Sequence, residues 1–102
     1  MSDTKQLKYA AKAAGFKVAR IADDGMALML YGVQEPWNPR TDNWQSFELA
    51  LLAGIAFCRT GDVASATCSG PVHHVKVVDG DIMSAAREAV LLAAAEIGKA
   101  ME

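Results

Sequence analysis

The stretch Lys17-Val18-Ala19-Arg20-Ile21-Ala22-Asp23-Asp24-Gly25-Met26-Ala27-Leu28-Met29-Leu30-Tyr31-Gly32-Val33 decides the fold. Two strand-like runs, Lys17 to Ala22 and Met26 to Val33, flank Asp23-Asp24-Gly25. Asp-Gly favours a tight hairpin loop of type I′. With Asp24 and Gly25 as the loop, Ile21 pairs with Leu28 and Ala19 with Leu30. These four then face the core together, while Val18, Met29 and Tyr31 face the other way. A strand apolar on both faces implies a central position or a covered second face.

On the N-terminal side, a helix is expected from Thr4 to Ala14. Asp3 caps it, Gln6 completes a capping-box pattern, and Gly15 suits the left-handed stop. Leu7, Ala10, Ala11 and Ala14 share one face, and Phe16 folds back on the last turn. On the C-terminal side comes Glu35-Pro36-Trp37-Asn38-Pro39-Arg40-Thr41-Asp42-Asn43-Trp44. Its two prolines exclude a central strand and hold the backbone extended. Asp42 with Gln45 repeats the capping box, so a second helix runs from Asn43 to Ala53. Trp44, Phe47, Leu51 and Ile55 read as its buried stripe.

Ile55 to Thr60 and Val63 to Cys68 form a second hairpin around Gly61-Asp62, and Val72 to Val78 a further strand. A last helix starts after Asp81 and reaches Ala100. Within it, Ala89 to Ala95 is apolar on every face. That pattern means either a helix held between a sheet and another helix, or a homodimer contact through the C-terminal helix. The order is α-β-β-α-β-β-β-α. The fold class is α+β, with an antiparallel sheet of about four to five strands and three helices, in one domain over residues 1–102. Expected core positions are Leu7, Ala11 and Phe16; Ile21, Leu28 and Leu30; Phe47 and Leu51; and Ile82, Ala86, Ala89, Ala93 and Ile97.

Twelve acidic and ten basic residues give a net charge of −2. That balance lacks the basic surplus of a general nucleic-acid binder, and nucleic acid is not an expected partner. The polar start Met-Ser-Asp-Thr-Lys-Gln is not a signal peptide. The longest apolar run is too short to cross a bilayer, so no membrane association and a cytoplasmic setting are expected.

Catalytic and metal-binding residues are expected to be none, and cofactors none. His73 and His74, adjacent in a strand, point to opposite faces and do not share a metal. Cys58 falls opposite Ser65, and Cys68 on the other face, so both read as small buried hydrophobes. Asp23-Asp24-Gly25 and Asp79-Gly80-Asp81 are turn and capping chemistry. The proline-stiffened segment is the specific feature. One reading makes it a rigid corner in which Trp37 covers the core and Trp44 anchors the helix. The other makes Trp37, Asn38, Arg40 and Trp44 an interaction surface, since tryptophan and arginine dominate interface energetics. A further reading places an anion at Arg40 and the helix start, against the charge of Asp42.

Trp37-Asn38-Pro39-Arg40-Thr41-Asp42, followed by a helix with Phe47, Leu49 and Ala50, resembles small accessory proteins of tailed phages and prophages, similar to the NinX group of lambdoid phages. The opening Ala10-Ala11-Lys12-Ala13-Ala14-Gly15 and the run from Ala85-Ala86-Arg87-Glu88-Ala89-Val90 to Ala95-Glu96-Ile97-Gly98 are also similar. The resemblance covers about half of the chain and supplies no activity. It implies a phage or prophage origin, a host bacterial cytoplasm, and a non-catalytic protein that binds and modulates a host or defence protein. The alternative is a nucleotide-binding or sequestering protein, with Tyr31, Trp37, Trp44 and Arg40 supplying stacking and charge.

Overall fold

The computed structural model describes residues 3–67 and 72–101, so the expectations placed on Cys68 lie outside the described residues. Along the chain run α1 (Asp3–Ala14), β1 (Val18–Ile21), β2 (Leu28–Leu30), α2 (Asn43–Ala53), β3 (Ala56–Thr60), β4 (Val63–Thr67), β5 (His73–Lys76) and α3 (Ile82–Ala100). This is α+β in the expected order. The expected single sheet is two, however: β1 with β2, and β3-β4-β5, all antiparallel.

The split has a local cause. Leu28 pairs with Ile21 on one side and bridges Trp37 on the other. In that bridge Leu28 N–H donates to Trp37 O at 3.0 Å and Trp37 N–H to Leu28 O at 2.7 Å. Pro36 and Pro39, without N–H groups, flank the bridge and keep it to one pair. It nevertheless occupies the edge of β2 that a longer sheet would need.

The alanine-rich α3 is the axis of the fold. It packs against α1, α2 and the three-stranded sheet. Asp81 starts it, accepting from Ser84 N–H at 3.0 Å. Its interior includes Ala85, Ala89, Val90, Leu91, Ala93, Ala94 and Gly98. Of the two explanations for its all-round apolarity, cover within the chain is the one observed. The homodimer contact through α3 is not needed to bury it. Beneath α3, Ala64 and Ala66 of β4 are buried, small enough to let helix and sheet close.

The stops of α1 and α2 are built on glycine. After α1, Phe16 N–H donates to Ala11 O (2.9 Å) and Gly15 N–H to Lys12 O (3.1 Å), with Gly15 at φ 83°. That is a Schellman stop. Ile55 and Gly54 repeat it after α2, donating to Ala50 O (2.8 Å) and Leu51 O (3.4 Å).

Several expectations need correction. The Asp-Gly loop is longer than two residues: Ala22 N–H donates to Ala27 O at 2.8 Å, and Asp24 Oδ1 accepts from Met26 and Ala27. An Asp side chain bonding the backbone two residues on competes with the tight turn. Ile21 does pair with Leu28, but the register slips between Val18 and Arg20, so Val18 meets Leu30 in place of Ala19. The slip turns Val18 toward the core and leaves Ala19 exposed, as an inserted residue does; Ile21, outside the slip, is exposed as well. Phe16, Ile82, Ala86 and Ile97 are half-buried.

The phase of α2 also differs. Ser46, Leu49 and Ala50 are its buried positions, and the stripe Trp44, Phe47, Leu51 is exposed. Proximity decides the phase. α2 packs against α1 and the alanine-rich α3, and small side chains allow closer approach than a bulky stripe.

Candidate protein-binding surface

The proline-stiffened segment is a structural corner built from its own residues. Trp37 is 3% exposed, and its ring meets Phe16 edge-on at a centroid distance of 5.7 Å. Pro39 is fully buried. Asn38 works through every polar group. Its N–H donates to Gln45 Oε1 (2.7 Å), its Nδ2 to Met26 O (3.4 Å), and its Oδ1 accepts from Arg40 N–H (3.1 Å). Gln45 also donates through Nε2 to Pro36 O at 3.2 Å. Asp42 caps α2, accepting from Gln45 N–H at 3.0 Å. The capping-box glutamine thus reaches the preceding loop and clamps it to the helix.

Arg40 ties the corner to two helices. Its side chain is 19% exposed, with Nε donating to Glu88 Oε2 (3.2 Å) and Nη1 to Asp3 O (3.3 Å). Its Nη2 donates to Gln6 Oε1. Arg87 completes the knot, donating through Nε to Arg40 O (2.6 Å) and through Nη1 to Asn43 Oδ1 (2.6 Å). An arginine with these partners is spent on holding α1 and α3 to the loop, not on an anion.

The four residues expected to form one surface therefore separate. Trp37 lies in the core, Asn38 and Arg40 are bonded within the corner, and only Trp44 presents its side chain outward. The same placement disperses the stacking set for a nucleotide, since the Trp37 indole is buried and the Arg40 guanidinium is bonded inside the chain.

Trp44 opens a different surface. It is 67% exposed, as is Leu51, and it lies 6.0 Å from the Phe47 ring. Trp44, Phe47 and Leu51 fall at helical spacing on one flank of α2. Phe47 then joins Phe57 of β3, Met83, Ala86 and Val90 of α3 around a cleft of about 90 Å³. That is far below the roughly 300 Å³ at which small-molecule pockets begin; it has room for one apolar side chain. Asn43 and Arg87 form its polar end. Phe47, Phe57 and Met83 are all exposed, so α2, β3 and the start of α3 share a contiguous apolar ridge. Monomeric proteins rarely expose apolar patches beyond a few hundred Å². The ridge was missed in the sequence because its residues read as core; the spacing of Ser46, Leu49, Ala50 and Ala53 was the competing signal.

The outer face of the three-stranded sheet is mixed, with Ala56, Cys58 and Val72 beside Thr60, Ser65 and His74 around a shallow depression. Cys58 is directly opposite Ser65, and Ser65 opposite His74, with Ser65 Oγ 2.7 Å from His74 Nδ1. Cys58 is exposed, not buried as expected. Cross-strand bonding between polar neighbours accounts for this row. His73 turns to the other side, beneath α3, where its Nε2 is buried. Among the described residues, no group of three acidic, histidine or cysteine side chains could hold a metal ion. None of the described helices is long and apolar enough to cross a membrane.

Comparison of the chain with protein-family models, with curated proteins and with solved structures finds no match.

Proposed function

We propose that this chain is a non-catalytic accessory protein that acts by docking another protein on the apolar ridge of α2. The carrying observation is the outward stripe of Trp44, Phe47 and Leu51 beside the cleft floored by Phe57 and Met83. A fold that closes its core with Leu49, Ala50 and Ala53 does not need these three side chains for stability. Exposed tryptophan and phenylalanine around a pocket the size of one side chain are the anatomy of an interface hot spot. On the resemblance to small phage proteins, the partner we propose is a host or defence protein of the bacterial cytoplasm, modulated by occupancy.

The test is affinity capture from bacterial lysate, with the parent chain beside a Trp44→Ser/Leu51→Ser variant. The expected result is one discrete protein retained by the parent and lost by the variant, with superimposable thermal melts. Capture of the same protein by both chains would overturn the assignment of the ridge. In a purified pair, Trp44→Ala should weaken binding at least about ten-fold, the equivalent of about 1.4 kcal/mol.

A further inference from the structure

β3 ends the three-stranded sheet, and among the described residues no strand pairs with its outer edge. Its hairpin closes at Thr60 and Val63, with Gly61 at φ 62°. Gly61 at positive φ followed by Asp62 outside the positive-φ region marks a type II′ turn. The flanking residues, Thr60 and Val63, then exchange both backbone bonds, and bonding alternates from there. Thr60, Cys58 and Ala56 therefore bond to β4, while Phe57 and Arg59 turn their N–H and C=O groups outward. All residues of β3 are exposed, Phe57 at 47%.

The other described edges are blunted. β2 is bridged by Trp37, β1 is bulged between Val18 and Arg20, and β5 carries Lys76. Covering segments, bulges and lysines are how edges avoid pairing. Among the described residues β3 has no covering segment, bulge or lysine, and its one charge is Arg59, which pairing with a second copy uses.

We propose that β3 pairs antiparallel with β3 of a second copy of this chain, making one continuous sheet about a two-fold axis at Cys58. Parity and charge select the register. Outward-facing residues must meet outward-facing residues. Arg59 opposite itself sets like charges together, which destabilises. Phe57 opposite itself leaves a single outward pair, because Ile55 N–H already donates to Ala50 O. Phe57 opposite the second copy's Arg59 forms the pair twice, with guanidinium against aromatic ring on each side. Arg59 lies ready along the edge, its Nε donating to Gly61 O at 2.7 Å. This self-complementarity singles out a second copy over an arbitrary peptide strand.

A two-fold axis normal to the sheet keeps both α2 ridges on the same face, flanking the axis. The dimer thus offers the partner protein a doubled apolar surface. The edge is short, which puts the interface in the weak, reversible class below about 1,200 Å², with a Kd on the order of 1–100 µM. Cys58 would stand opposite its copy as a non-hydrogen-bonded pair at about 4.5 Å between Cα atoms. That is within the roughly 4.4–6.8 Å a disulfide spans.

Site-directed crosslinking tests the register. In a Cys68→Ser background Cys58 is the sole thiol, and diamide takes up the two electrons and two protons released on disulfide formation. The expected product is a Cys58-linked dimer, while a chain with its sole thiol at residue 56 (Ala56→Cys, Cys58→Ser, Cys68→Ser) stays monomeric. Velocity sedimentation of the reduced parent should show reversible dimer at about 100 µM, the top of the weak class. Phe57→Lys, which faces a cation with the second copy's Arg59, should weaken the dimer at least about ten-fold. A reduced parent that sediments as monomer, or equal crosslinking from positions 56 and 58, overturns the proposal. Trp44→Ser/Leu51→Ser should still dimerise, so loss of partner capture and loss of dimer are read separately.

Discussion

Gly98→Ala sets two effects against each other where α1 crosses α3. In a helix interior alanine is favoured over glycine by about 1 kcal/mol, so propensity alone makes the variant more stable. Packing opposes it. A Cβ at Gly98 would overlap the Tyr9 carbonyl oxygen and stand 2.5 Å from Tyr9 C and 2.9 Å from Tyr9 Cα. These are backbone atoms of a packed helix, and no rotamer change removes them. Relief requires α1 to move bodily off α3, along the seam where Leu7, Ala10 and Ala11 are wholly buried. Overpacking of cores costs typically about 1–3 kcal/mol, occasionally more, and a backbone obstacle belongs at the upper end. The net expectation is destabilisation by about 2 kcal/mol, with the propensity gain subtracted. At about 4–8 °C per kcal/mol for a chain of this size, Tm falls by roughly 8–16 °C. Thermal melts followed by circular dichroism measure it, with Glu96→Ala against Glu96→Gly at an exposed interior site of the same helix as the propensity control. A Gly98→Ala chain melting at or above the parent would refute the close crossing of α1 and α3.

The phase of α2 separates two leucines: Leu49→Ala should cost about 2–5 kcal/mol, and Leu51→Ala should stay within about 0.5 kcal/mol, both read by urea unfolding. Trp37→Ala should cost about 3–5 kcal/mol, marking it as core; a loss below 1 kcal/mol would return Trp37 to the surface. Arg40→Ala removes charge-assisted bonds to Glu88 and the α1 start and should cost about 1.5–3 kcal/mol. Gln45→Ala releases the segment from Pro36 to Asn38, and faster proteolytic nicking there should accompany a loss of about 1–2 kcal/mol.

Local signals in the sequence located the elements well. Glycines 15 and 54 end helices where a left-handed residue is required, and Asp42 and Asp81 begin them. These signals act over four or five residues and survive any tertiary arrangement. Cys58 was correctly paired with Ser65 because a short hairpin fixes its own register. Non-local choices were less legible. Nothing near Leu28 announces that Trp37 will bridge it and close β2 to further strands. In the sequence, bulk marks Trp44, Phe47 and Leu51 as the buried side of α2, and the structure buries Ser46, Leu49 and Ala50 instead. The helix that α2 packs on is built of alanine, and only small residues bring two such backbones together. The four residues of the candidate site part for a linked reason. Trp37 and Trp44 look alike in a motif, yet one lies before the helix cap and packs on Phe16. The other, inside the first turn of α2, inherits that helix's outward phase.

That division of labour explains why the ridge is the part of the molecule left for function. The corner residues Trp37, Asn38, Pro39 and Arg40 are bonded or buried, and each touches an element whose position depends on it. Trp44, Phe47 and Leu51 touch little beyond one another and the cleft. Exposed apolar bulk of this kind contributes little to stability and invites self-association. The fold would close without it. Stability and binding therefore draw on separate residues. A change at Trp37 or Leu49 should lower binding only as far as it unfolds the chain, with both signals falling together on heating. A change at Trp44 or Leu51 should remove binding from a chain that melts as before. If Trp37→Phe, which keeps an aromatic ring against Phe16, lowered partner binding at full stability, the corner would belong to the binding surface after all.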